Sequence, residues 1–240
     1  MKRPIVLLIL DGYGDSSVIE GNSILQANTE HIDTYRQKYP FCLLQASGMS
    51  VGLPWGDPGN SEVGHLCIGS GRILYQNLPR ITVSIQSGNF YQDEAFLNTI
   101  NHVKKHNSKL HLVGLVGSGS VHSDYEHLEH LLRLAAQEEL KDVYVQAFTD
   151  GRDAPIHDAG NMFDKLTDLM KNLGVGKIAT FGGRMYGMDR DNHWERIEKA
   201  FNAMVHGQGE VSTDYHETFQ KHYDEGKSDE FVTPSILNPE

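Results

Sequence analysis

Positive charge is scarce in this 240-residue chain: 21 lysines and arginines stand against 32 aspartates and glutamates, a formal net charge of −11 at pH 7. That balance excludes a general nucleic-acid or anionic-membrane surface, because both need a positive field to collect phosphates. Any phosphate site must be local, so the placement of the few arginines says more than their number. Cysteine is also scarce. Cys42 and Cys67 lie in apolar stretches with no metal-ligand spacing, which predicts buried free thiols rather than a disulfide. Long hydrophobic runs are missing: the longest, IVLLIL at 5–10, is far too short to span a bilayer, and it is followed by Asp11 rather than a small-residue cleavage site. The expectation is a cytoplasmic protein with no membrane and no nucleic-acid partner. Internal repeats, low-complexity tracts and coiled-coil heptads are absent too. With 39 % hydrophobic and 22 % charged residues, the composition is that of a folded protein rather than a disordered one.

What is present begins with an apolar run, residues 4–10, ended by Asp11-Gly12. This predicts a strand buried on both faces in a parallel sheet, with Asp11 at its carboxyl end. A helix is expected over 29–38, a strand over 41–47 and a turn-to-helix over 57–69, where Pro58-Gly59-Asn60 breaks the chain. Residues 1–75 then form one block. After a connecting stretch, QNLPRITVSIQSG, the pattern becomes a regular alternation. Helices over 94–106, 124–138, 158–173 and 191–205 are interleaved with strands over 109–117, 142–148 and 177–183, which implies parallel pairing through right-handed crossovers. The tail from residue 221 is polar, and its last residues give no sign of a closed element.

Parallel sheets carry ligand sites at the carboxyl ends of their strands. Just past the three predicted strands stand SGSVHSD with His122, TDGRD with Asp150, Arg152 and Asp153, and GRMYGMDRD with Arg184 and Arg190. Arginine forks match carboxylate and phosphate oxygens bidentately, so this convergence points to a small, doubly anionic ligand. Taken singly, each residue reads more readily as a loop stabiliser than as a site residue, and TDGRD as a turn whose aspartates bond their own backbone; their shared position after successive strands favours a site. Ser61, in the glycine-rich run GDPGNSEVGHLCIGSGR, reads as a helix N-cap, or as a nucleophile favoured by the helix N-terminus. No base lies beside it in sequence. A metal ion can do a base's work by lowering the hydroxyl's pKa, and Asp11 is a suitable hard-oxygen ligand. His65 reads as packing or support, and His127 and His130 carry no role.

Five segments, LLILDGYG (7–14), GNSEVGHLCIGSGRILYQ (59–76), VHSDYEHL (121–128), AFTDGRDAP (147–155) and GRMYGMDRDNHWERIEKAF (183–201), closely resemble the amino-terminal part of cofactor-independent phosphoglycerate mutases, members of the alkaline-phosphatase-like superfamily. The resemblance implies an α/β architecture. Residues 1–75 would be the first segment of a metal-binding phosphatase-like domain, and 76–240 a parallel-sheet substrate-binding domain, both incomplete. It implies Ser61 as the phosphoryl acceptor and ligand of one of two divalent ions, usually Mn²⁺, with Asp11 a ligand of the same ion and no 2,3-bisphosphoglycerate required. His122, Arg152, Asp153, Arg184 and Arg190 would hold the phosphoglycerate, and Asp153 would exchange a proton with its hydroxyl. The reaction implied is interconversion of 2- and 3-phosphoglycerate through a phosphoserine, in an enzyme that is monomeric when complete.

The match has departures. The family usually reads Ser-Asp-Gly-Gly before the substrate histidine and a second histidine two positions after it, where this chain has Gly117-Ser118-Gly119-Ser120 and Asp124. Cys67 stands for a usual asparagine, and Met185 and Gly187 for a usual tyrosine and alanine. The resemblance also places the remaining metal ligands, a phosphate-binding lysine and an arginine-rich loop beyond this stretch. The chain alone is therefore expected to be inactive, with a complementing carboxyl-terminal half as a partner. Two other readings stand beside this one: another phosphomutase or phosphohydrolase of the superfamily, and a module that binds phosphoglycerate or another anion without chemistry.

Overall fold

The computed structural model describes residues 4–237. Contacts divide the chain into two compact units, Met1–Pro79 and Arg80–Glu240.

The described residues of the first unit contain helices and no strand: α1 (Ser23–Gln26), α2 (Glu30–Lys38), a 3-10 turn at Gly48–Val51 and α3 (Ser61–Ser70). Helix α2 falls where the sequence places it. The strands expected over 4–10 and 41–47 do not form, and Ile5 to Leu8 are 72–96 % exposed. A strand apolar on both faces is stable only between partner strands, and among the described residues this unit supplies none. The same lack leaves Cys42 exposed and Cys67 half-buried, both free, in place of the two buried thiols expected. Val51, Leu53 and Val63, with Cys67 against them, form a small core. The chain closes around it through Gly59, where a Cβ would lie 1.8 Å from the Ala46 carbonyl oxygen.

The stretch expected as a connection is a helix, α4 (Asn77–Gln86). Its run Ile81-Thr82-Val83 is β-branched and reads as extended, but burial of Ile85 on one helical face offsets that weak preference. Pro79 sits in the first turn, where a missing N–H costs no hydrogen bond.

The second unit follows the predicted alternation: α5 (Glu94–His106), β1 (Leu110–Val116), α6 (Tyr125–Gln137), β2 (Val143–Thr149), α7 (Ala159–Leu173) and β3 (Lys177–Gly183). Asp93 and Asp124 start α5 and α6 by accepting backbone N–H bonds from the first turn. The helix expected over 191–205 is present as α9 (Trp194–Phe201) running into a π-helical turn at Asn202–His206, and a separate short helix, α8 (Arg184–Gly187), precedes it. Beyond it the chain forms β4 (Glu210–Ser212) and α10 (Tyr215–Asp224), and the polar tail, with no closed element expected at its end, closes into β5 (Ser235–Leu237). Three-residue strands are too short to show a period, which is why the sequence gives no sign of them.

The fold is α/β on a five-stranded sheet of order β1-β2-β3-β5-β4. The pairs β1/β2, β2/β3 and β4/β5 are parallel, and β5 runs antiparallel to β3, so the sheet is mostly rather than wholly parallel. The core lies between one sheet face and helices α5, α6, α7 and α10. Phe163, Phe181 and Phe219 meet there edge to face, with centroids 5.1–5.8 Å apart, and all three are fully buried.

Candidate functional site

The carboxyl ends of β1, β2 and β3 open onto one cleft of about 410 Å³. His122, Arg152, Asp153, Arg184 and Arg190 all line it, so the loops after three strands bring all five predicted residues of this unit together. Asp189, Arg196 and Glu230 share its walls.

Arg184, the first residue of α8 and 8 % exposed, reaches back under the turn that follows β2. One of its Nη1 bonds goes to Asp150 Oδ1 at 2.7 Å and another to Asp153 Oδ2 at 2.6 Å. Asp150 Oδ1 also accepts the backbone N–H groups of Arg152 (3.1 Å) and Asp153 (3.0 Å). TDGRD is thus both a self-bonded turn and a site element, with Asp150 as its buried pin. Burial opposes ionisation of Asp150, but the Asp153 N–H, the Arg184 guanidinium and the Arg152 N–H outweigh it and hold the carboxyl below its ordinary value. Burial likewise works against the charge on Arg184, and its bonds to Asp153 and Asp150 reverse that, raising its pKa.

His122 Nε2 lies 3.5 Å from Asp153 Oδ2, so one carboxylate oxygen is shared between a guanidinium and an imidazole. The altered loop before His122 fits this placement. A Cβ at Gly119 would stand 2.5 Å from the Asp153 carbonyl oxygen, so glycine is needed for the two loops to touch. Asp124, at a position where the resembled family usually has histidine, caps α6 instead. Arg152 is more open, with its side chain 61 % exposed and Nη1 3.6 Å from Glu230 Oε1.

In the first unit, Ser61 Oγ donates to Asp11 Oδ2 at 2.6 Å, across fifty positions of sequence. The cap of α3 is Asn60, whose Oδ1 accepts the Val63 N–H at 2.9 Å. Ser61 is the first helical residue and its hydroxyl is spent on Asp11, which corrects the reading of Ser61 as the N-cap. His65 Nδ1 meets the Ser61 carbonyl oxygen at 2.7 Å, not its hydroxyl. Two hard-oxygen groups in contact suit one edge of a divalent-cation site, but among the described residues no group of three His, Cys, Asp or Glu is placed to hold a metal ion.

Sequence reasoning missed other contributors to the cleft, among them Asp189, Arg196 and Glu230. Asp189 and Arg196, paired at 3.0 Å, stand in a segment already singled out, and their spacing around one loop was the available signal. Glu230 had none, because only the return of the chain through β5 brings it there. His127 and His130 serve packing: His127 Nε2 meets Thr82 Oγ1 at 3.2 Å, and His130 contacts the Tyr91 hydroxyl.

Residues 81–240 match the protein family described as BPG-independent PGAM N-terminus. The chain belongs to this family. It is 49 % identical over 236 residues to the 2,3-bisphosphoglycerate-independent phosphoglycerate mutase of Clostridium beijerinckii, covering 98 % of this chain and 46 % of that protein. The enzyme of the same name from Clostridium kluyveri is equally similar, at 49 % over 236 residues. The chain thus spans a little under half the length of these curated relatives. Among solved structures it resembles a Leishmania mexicana phosphoglycerate mutase crystallised at low cobalt concentration, with a TM-score of 0.70 and 32 % identity over 88 % of this chain and 40 % of that one. Family membership and the α/β fold are thereby established together.

Proposed function

We propose that this chain is the amino-terminal portion of a metal-dependent enzyme that interconverts 2- and 3-phosphoglycerate through a phosphoserine at Ser61, without 2,3-bisphosphoglycerate. The observation that carries the reading is the cleft at the sheet's carboxyl edge, which His122, Arg152, Arg184 and Arg190 line together with Asp153. In this reading Met1–Pro79 is the first segment of the phosphatase-like domain and Arg80–Glu240 the substrate-binding domain. The guanidinium of Arg152, with Arg190, binds the carboxylate and phosphate oxygens of the ligand. Arg184 and His122 hold the Asp153 carboxylate, which takes and returns the proton of the glycerate hydroxyl. Ser61 Oγ is the acceptor of the phosphoryl group, and Asp11 orients its hydroxyl. Asp11 and Ser61 would be ligands of a divalent ion such as Mn²⁺, which when bound supplies charge neutralisation and a lowered serine pKa. The enzyme is expected to be cytoplasmic and monomeric.

The test uses a protein completed with the carboxyl-terminal half. Incubation with phosphate-labelled 3-phosphoglycerate and Mn²⁺, an acid quench and peptide mapping should place label on the peptide bearing Ser61, and S61A should carry none. Turnover without label on that peptide would overturn the role of Ser61. The anion-binding module remains the reading for the short chain by itself, because the cleft lies wholly within Arg80–Glu240. Binding of 3-phosphoglycerate without turnover, in the completed protein as well as the short chain, would favour it.

A further inference from the structure

Four arginines line the cleft, and so do four carboxylates. In a site that takes an anion, each carboxylate calls for a reason. Asp153 has one in Arg184 and His122. Asp189 has one in Arg196 and in the backbone N–H groups of Asp191 and His193. Asp191 stands exposed on that same loop. Glu230 is different: among the described residues its single ionic contact is Arg152, whose side chain is 61 % exposed and open to a ligand.

The backbone that carries Glu230 is fixed from every side. The neighbouring Asp229 is 1 % exposed; its Oδ2 accepts the N–H groups of Asp158 (2.7 Å) and Ala159 (2.8 Å), and its Oδ1 accepts the Tyr223 hydroxyl at 2.5 Å. Thr149 Oγ1 donates to the Asp229 carbonyl at 2.6 Å, and the Gly183 N–H to the Val232 carbonyl at 2.7 Å. Two glycines make room for the segment. A Cβ on Gly151, at φ +64°, would stand 2.6 Å from Glu230 N, and one on Gly183 would stand 2.1 Å from the Glu230 carbonyl oxygen. The segment therefore rests against the carboxyl ends of β2 and β3.

We propose that Glu230 is a specificity-determining residue: a fixed negative charge beside Arg152 that admits a ligand with one phosphate and one carboxylate and disfavours one with two phosphates. The proposal rests on the cleft being the phosphoglycerate site. At 3.6 Å, with the Arg152 end exposed to solvent, the Glu230–Arg152 pair is weak, so a ligand oxygen can replace the carboxylate on Arg152. The displaced Glu230 stays near the cleft, because its backbone is held and only its side chain can swing. Its charge stays at the wall and repels the ligand in proportion to the ligand's own charge. A monophosphate keeps a net gain from the arginines, whereas a second phosphate adds repulsion that the remaining partly neutralised arginines do not offset.

The experiment is titration calorimetry of the 240-residue chain, E230Q and E230D with 3-phosphoglycerate and, separately, 2,3-bisphosphoglycerate at low salt. E230Q should bind 3-phosphoglycerate about 3-fold tighter and 2,3-bisphosphoglycerate about 10-fold tighter or more, with both gains shrinking as salt is added. E230D, which keeps the charge, should hold the wild-type preference. Wild-type binding of 3-phosphoglycerate with an unchanged preference in E230Q, or weaker binding of both ligands, would overturn the role of Glu230 alone. Binding of neither ligand by any of the three proteins would overturn the cleft assignment, and this inference with it.

Discussion

Asp150 and Asp153 stand three residues apart on one turn and both touch Arg184, yet burial divides their roles. Asp150, at 6 % exposure, spends its Oδ1 on two backbone N–H groups and a guanidinium, while Asp153 keeps an edge in the cleft. In a completed enzyme D153N should lower kcat by roughly 10²-fold or more and leave KM within a few-fold, since the lost function is proton exchange rather than grip; equal losses in both would assign Asp153 to binding. D150N should act on stability. The folded-state pKa of Asp150 is depressed, so its contribution is present above the ordinary carboxylate value of about 4 and is lost as pH falls through the folded value. Thermal denaturation against pH should show D150N weaker than wild type by on the order of 1.5–3 kcal/mol near neutrality, the curves converging under acid. A gap that persists at low pH would mean that Asp150 acts by shape rather than charge. The candidate residues were legible because each follows a strand in sequence, and strand ends in a parallel sheet share an edge. Glu230 was not legible, because a three-residue antiparallel strand some 80 positions after the TDGRD turn decides its place.

At the scale of elements, the core strands and the helices between them were readable from period and length, whereas the elements that depend on remote partners were not. Strands β1 to β3 each carry seven residues with apolar runs. By contrast, β4 and β5 exist only because β3 offers an edge. The segment Asp229–Phe231 that links α10 to β5 is held by glycine contacts rather than by its own propensity. Gly183 has an ordinary φ of −72°, so a substitution there tests crowding without backbone strain. G183A should destabilise the chain by about 1–3 kcal/mol in urea unfolding, because its methyl meets the backbone of Glu230 and cannot be avoided by a rotamer change. The same variant should weaken 3-phosphoglycerate binding through the displaced cleft wall. Wild-type stability and wild-type binding in G183A would mean that the segment is looser than its hydrogen bonds imply.

For the molecule as a whole, the two units differ in how far they satisfy themselves. Arg80–Glu240 buries a continuous core and encloses the cleft, so its fold was largely predictable from its own sequence. Met1–Pro79 places Ser61 against Asp11 but leaves Ile5 to Leu8 at 72–96 % exposure, because the pattern of residues 4–10 is written for strands that the described residues do not include. The sequence signal was sound about what those residues require and silent about who supplies it. The 240-residue chain alone should therefore show no appreciable mutase turnover. Two-metal phosphoryl transfer needs ions roughly 3.5–4 Å apart, and Mn²⁺ prefers about six oxygen or nitrogen ligands, whereas Asp11 and Ser61 offer two groups. The exposed apolar run should also promote association, visible as a concentration-dependent shift in size-exclusion chromatography. A coupled mutase assay with added Mn²⁺, run on the chain alone and again after mixing with a carboxyl-terminal half from a relative, reads both consequences. Activity that appears only on mixing, together with a fall in self-association, is the expected outcome. Robust metal-dependent turnover by the short chain would show that its own residues complete the metal site, and would overturn the division of labour between the two halves.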